Sequence, residues 1–185
     1  MITAHDAMVE ATKRLPELLS RAESLYGTRD MRFTIAHDIR IESDGPRICF
    51  RNDDLSTVIV VLGQNVITHP PNVPCQLAHE CIHLLNPTQG NTNFLEEGAA
   101  VHFQLEVILE SHGRKEHELQ RNHLNEAYHR AHELYCRLVS IDARAPHALR
   151  SPLRGWSALD SADIAKAVPC LPGDLAERLA APCMP

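Results

Sequence analysis

Apolar side chains recur at helical spacing over residues 3–25, where Ala4, Ala7, Met8, Ala11, Leu15, Leu18, Leu19, Ala22 and Leu25 trace one stripe. Pro16 falls inside that stripe and removes a backbone donor, so a kink or a break is expected there, with Gly27 as the stop. The pattern then changes. Residues 31–63 hold short β-prone runs, "MRFTIAH", "RICF" and the continuous apolar "STVIVVLG", separated by the turn signals "SDGP" and "NDD". They predict a small, twisted, mostly antiparallel sheet of about three or four strands. From residue 72 helical spacing returns. One helix is expected with Asn72 as its cap and Pro74 in its first turn, ending at Asn86-Pro87 because proline disfavours helical geometry in the residue before it. A second starts near Asn93 and runs to about Glu110, where Ser111-His112-Gly113 breaks it, and a third covers 115–140. Pro146, Pro152, Pro169, Pro172 and Pro182 limit the tail to short helical pieces and turns. Helix, small sheet, then helices is the order of an α+β fold: a domain over 1–142, with a proline-rich extension over 143–185 packed on it.

Length and charge narrow the functional classes. A chain of 185 residues suits one domain with a core of its own. The net charge of −6, with no basic run carrying interleaved aromatics, argues against a nucleic-acid partner. Aromatic residues make up only 4%, so the core rests on Leu, Ile, Val and Ala. The longest clean apolar run, Val58 to Leu62, is far short of a membrane span, and acids and histidine stand where an export signal needs an apolar stretch. A cytoplasmic protein with no membrane partner is the expectation. The six cysteines are scattered without a CxxC pair, which excludes a zinc knuckle or a dithiol redox motif and predicts free, buried thiols.

The chemistry concentrates in His79-Glu80-Cys81-Ile82-His83, an HExxH segment. Residues four apart on a helix share a face, so two imidazoles at this spacing can converge on one tetrahedral zinc. Glu80 borders that metal without needing to ligate it, and a carboxylate there can take a proton from a zinc-activated water. The surrounding helix is otherwise apolar, with Val73, Leu77, Ala78, Cys81, Ile82, Leu84 and Leu85. It is therefore expected to be buried, and its ionisable groups then need a partner such as a metal. Cys81 lies two residues from each histidine and is expected to face elsewhere.

Downstream stands "NFLEEGAAVHF", residues 93–103. Taken with HExxH, this segment resembles the gluzincin branch of the zincin metallopeptidases, in which a second helix brings a glutamate ligand within a string such as "xNEGxA". The resemblance covers roughly residues 56–110. It implies a zincin-like fold, a Zn2+ cofactor held by His79, His83 and Glu97, a peptide or protein substrate, and peptide-bond hydrolysis with Glu80 as general base. It also implies that "STVIVVLG" borders the substrate cleft and that Gly98 and Ala99 bring the glutamate helix close to the HExxH helix. The apolar run of that strand suits a central core strand equally well. Glu96 has a local role open to it, since Asn93 and Glu96 stand at capping-box spacing. Two departures matter. The acid that orients a histidine ligand in the thermolysin group is replaced by Val101, so that support must come from elsewhere. No Gly-x-Met-Glu-Asn signature precedes HExxH, which leaves an endopeptidase as the default over an aminopeptidase.

Hydrolysis also calls for a donor to the oxyanion, and Tyr128, His132 and Tyr135 are the candidates. Both tyrosines equally suit an amphipathic core stripe with Leu124, Ala131 and Leu138. His102, His112, His117, His123 and His129 are expected on solvated faces. The alternative to an enzyme is a non-catalytic metal-containing binding module on the same scaffold. The tail is a candidate cover for the cleft.

Overall fold

The computed structural model describes residues 1–51 and 54–184. Helix α1 (Ala4–Tyr26) opens on a reciprocal cap: Thr3 Oγ1 accepts from the Asp6 N–H, and the Asp6 carboxylate accepts from the Thr3 N–H. It passes through Pro16 as one helix, so the expected break does not occur. Pro16 and Thr12 lie on the exposed face, where the Thr12 carbonyl that loses its partner is left to water. Gly27, at φ 91°, ends the helix as expected, its N–H returning to the Glu23 carbonyl at 2.8 Å.

Four strands follow: β1 (Thr34–Ile35), β2 (Arg40–Glu42), β3 (Arg47–Arg51) and β4 (Asp54–Gly63). Strand β4 is central. Val58 pairs with Ile35 on one side and Phe50 on the other, and Val61 pairs with Arg40 and Arg47. β1 and β2 run parallel to β4 along one flank, while β3 runs antiparallel along the other. The sheet is thus mixed, not mostly antiparallel. Hydrophobic pattern says which faces are buried and says nothing of strand direction. Direction followed from long-range pairing: β1 and β2 pair with β4 and not with each other, although short connections join β1 to β2 and β2 to β3. Of the "NDD" turn between them, Asn52 and Asp53 lie outside the described residues. Val58 to Leu62 are all buried, so "STVIVVLG" is the core strand and not the one that borders the cleft.

Helix α2 (Asn72–His83) forms the centre of the molecule, with every residue from Val73 to His83 buried. It ends sooner than the Asn86-Pro87 rule implies, its last turn tightening as the Leu85 N–H bonds the Ile82 carbonyl at 3.1 Å, and the free Leu85 carbonyl accepts from the Asp30 N–H and from Arg150 Nη2, both at 2.8 Å. Asn72 is its first residue and not its cap, and its side chain accepts from Gln120 Nε2 at 2.7 Å.

Helix α3 (Phe94–Asn122) is capped by Asn93, whose side chain accepts from the Glu96 N–H at 3.0 Å. The expected break at Gly113 is a kink (φ 78°, ψ −179°), after which the helix resumes. Helix α4 (Glu126–Ile141) starts only after Asn125, which caps it through the Tyr128 N–H. The single third helix expected over 115–140 is therefore divided between the end of α3 and α4. A Cβ on Gly98 would lie 2.4 Å from the Ala131 carbonyl oxygen and 2.6 Å from Tyr135 Cβ. The small residue thus seats α3 on α4, where the resemblance implied close approach to α2.

The extension carries α5 (Ala145–Ala148), α6 (Ser161–Ala167) and α7 (Gly173–Ala180). Trp156, Ile164, Leu175 and Leu179 join the same buried cluster as α2 and α3. Class and layering are those of an α+β protein: an N-terminal helix and a small sheet packed on a helical half. Among the described residues no helix is long and apolar enough to cross a membrane.

Candidate metal centre

α2 and α3 lie side by side, and their facing turns bring together His79, His83 and Glu97, all buried. One donor atom from each falls within 4.8 Å of the others. His79 Nε2 is 3.2 Å from Glu97 Oε2, and His83 Nε2 is 3.6 Å from Glu97 Oε1. The imidazole centroids are 5.0 Å apart, the outcome of i, i+4 spacing on a regular helix.

The opposite ring nitrogens decide what these atoms can do. His83 Nδ1 lies 3.0 Å from Glu96 Oε1, and a carboxylate only accepts, so the proton sits on Nδ1 and Nε2 offers a lone pair. His79 Nδ1 lies 2.8 Å from Gln104 Oε1 and is disposed in the same way. Two lone pairs therefore face the carboxylate of Glu97, itself an acceptor, and a cation is needed among them. Burial pushes His83 down, but Glu97, the Glu96 bond and Glu80 outweigh it and raise its pKa. Burial pushes Glu97 up, and His83, His79 and Thr92 outweigh that and lower it. Without a metal, a proton supplies the positive charge.

The donor set fits zinc. Two ligands about 2.0–2.1 Å from a tetrahedral zinc stand roughly 3.3 Å apart, close to the spacings across Glu97. Glu97 Oε2 is buried with no hydrogen-bond partner, and Glu80 Oε2 is likewise unpartnered. Such orphaned acceptors are costly unless something absent from the protein chain binds them.

The groups that hold the ligands were not legible as such. Glu96, expected to reach back to the Asn93 amide, instead spans His83 and Ser157, with Oε2 accepting from Ser157 Oγ at 2.6 Å and from its N–H at 3.1 Å. The Asn93 N–H donates to Ser157 Oγ at 3.2 Å, so Ser157 takes the place of the reciprocal cap. Thr92 Oγ1 donates to Glu97 Oε1. Gln104 supplies the support that Val101 cannot. It stands two helical turns beyond Glu97 on the same face, a spacing that would have revealed it. Ser157 had no sequence signal.

His79, Glu80, His83 and Glu97 form the floor of an open cleft of about 430 Å³. Its walls are β3, through Arg47, Ile48 and Phe50, the loop at Thr88–Thr92, Tyr128 of α4 and Cys183 of the tail. Glu80 is buried, and burial raises its pKa against the pull of His83 and His79. The Tyr128 ring stands 5.4 Å from that of His79. Burial, then the Glu97 and Glu80 carboxylates, push its hydroxyl up, which keeps it protonated as a donor. The other two oxyanion candidates lie elsewhere. Tyr135 is in the core, its hydroxyl 3.4 Å from that of Tyr26. His132 stacks on His102, which is half-buried and not on a solvated face. Of the residues of α4, Tyr128 in its first turn lines the cleft, while the later turns pack against α1 and α3 through Tyr135 and His132. All six cysteines are free, but only Cys75, Cys81 and Cys183 are buried, and Cys81 packs in the core away from the metal ligands. No protein-family model matches the chain, and neither a curated protein nor a solved structure does, so any functional reading rests on this site alone.

Proposed function

We propose that this protein is a zinc-dependent peptidase of the gluzincin type, probing extended peptide segments along β3 and cutting them as an endopeptidase. The observation that carries the reading is the pair of imidazole lone pairs facing the Glu97 carboxylate, with the unpartnered Glu80 beside them in an open cleft. His79, His83 and Glu97 would hold the ion. A zinc bound there supplies Lewis acidity that activates a water and polarises a carbonyl. Glu80 accepts the water's proton and returns it to the leaving amine, a role suited to a buried carboxylate whose pKa is raised. Tyr128 donates to the oxyanion that develops on the carbonyl. Among the described residues β3 has a strand on one side only, and its free edge gives an extended peptide backbone groups to pair with, a form of β-augmentation.

A closed, structural zinc site would need a fourth protein ligand. Cys183 lines the cleft, yet its sulfur is not among the clustered donor atoms, which favours a position open to water and substrate. The experiment is elemental analysis beside a peptide-cleavage assay. The wild type and Glu80→Gln should carry equal amounts of zinc, and only the wild type should cut. Glu97→Ala should carry about one zinc per chain fewer. A Glu80→Gln protein that cleaves at the wild-type rate would remove Glu80 from the mechanism, and a Glu97→Ala protein with as much zinc as the wild type would end the metallopeptidase reading.

A further inference from the structure

A second group of metal donors stands where α3 packs against α4. His102 and Glu106 are one helical turn apart on α3, and His132 and Cys136 are one turn apart on α4. His102 Nδ1 lies 3.5 Å from His132 Nε2, and Cys136 Sγ lies 3.3 Å from that same nitrogen. One donor atom from each of the three falls within 4.8 Å of the others. None of them lines the cleft described above. We propose that His102, His132 and Cys136 bind a second transition-metal ion of the zinc class.

Two features support this site independently of the peptidase reading. The first is convergence: two ring nitrogens and a sulfur from two packed helices meet at one point, and the backbones that carry them are held by the close seat of Gly98 on α4. The second is the far side of His102, where Nε2 faces Glu106 Oε1 at 3.9 Å. The carboxylate is beyond hydrogen-bond distance, but its charge favours the proton on Nε2 and so leaves Nδ1 free to ligate. The Cys136 thiol gives up its proton to solvent as the metal–sulfur bond forms.

Two nitrogens and one sulfur select borderline ions such as zinc or cobalt over magnesium and calcium, which require oxygen. Cys136 is exposed, so ions and a completing water have access. The ion would clamp α3 to α4.

Cobalt discriminates between the two sites. A thiolate ligand gives Co2+ a charge-transfer absorption in the near ultraviolet that a His-His-Glu site cannot give. Titrating Co2+ into the reduced, metal-free, full-length protein should raise that absorption to saturation at about one thiolate-bound cobalt per chain. It should vanish in Cys136→Ser and in His132→Gln and persist in Glu97→Gln. Cys136→Ser is a near-isosteric change at an exposed position, and its thermal melt should match the wild type. A wild type without the absorption, or a Cys136→Ser protein that keeps it, overturns the proposal, whatever becomes of the first site.

Discussion

Glu96 is the residue on which the metal centre turns. One carboxylate oxygen accepts a hydrogen bond from His83 Nδ1 and the other accepts two from Ser157, so a single side chain aims a candidate ligand and ties it to the C-terminal extension. Removing it leaves the His83 ring free to rotate and exchange tautomers. Glu96→Ala should therefore weaken zinc binding roughly 10–100-fold while the fold persists, a loss typical of outer-shell partners. Competition with a chromogenic chelator would read the change, and unaltered affinity would show that packing alone orients His83. At this scale the candidate ligands were readable because HExxH and the glutamate before Gly98 sit on regular helices. Their supports were not. Glu96 presented equally good local prospects as a cap partner, and nothing in the spacing of residues 93–97 could show that His83 lay opposite.

At the scale of elements, the site depends on how closely three helices are allowed to pack. α2 is buried along its length and cannot move, so α3 must bring Glu97 to it while still leaning on α4. Gly98 permits that lean. Its Cβ position is taken by the Ala131 carbonyl and Tyr135 Cβ, and a backbone oxygen cannot swing aside as a side chain can. Gly98→Ala should destabilise the protein by about 1–3 kcal/mol, the usual cost of overpacking, as measured by urea unfolding. A variant at least as stable as the wild type would mean the helices separate without penalty. Periodicity recovered most elements and misjudged some ends. It missed that α2 stops at His83, because the following proline marks where a helix must have ended and not where its last turn tightens, as it does when the Leu85 N–H bonds the Ile82 carbonyl. It joined the end of α3 to α4, because both share one helical pattern across a turn capped only by Asn125.

For the whole molecule, the question is what the extension does. Its end reaches the cleft at Cys183, which suits a cover, but its bulk is core. Trp156 is 1% exposed, and Arg150 holds the carbonyls of Tyr26, Gly27, Thr28 and Leu85 through its guanidinium. Truncation after residue 142 should abolish cooperative unfolding, followed by circular dichroism against temperature, and should not yield a more active enzyme. A folded truncate with raised activity would restore the role of a detachable cover.

What the sequence by itself determined is what the chain's own local geometry controls: helical and extended segments, the i, i+4 placement of His79 and His83 with Glu80 on the neighbouring face, the Asn93 cap, and the α+β order. What only the tertiary structure decided depends on contacts between residues far apart in the chain. It set the parallel course of β1 and β2 beside β4, gave β3 the edge that borders the cleft, placed Tyr128 and neither His132 nor Tyr135 at the cleft, and brought Gln104, Glu96 and Ser157 behind the candidate ligands. The physical reason is one of range. Backbone sterics and hydrogen bonding reach about one helical turn, roughly 5.4 Å, whereas the relative tilt of packed helices is fixed by the fit of side chains over the whole buried surface.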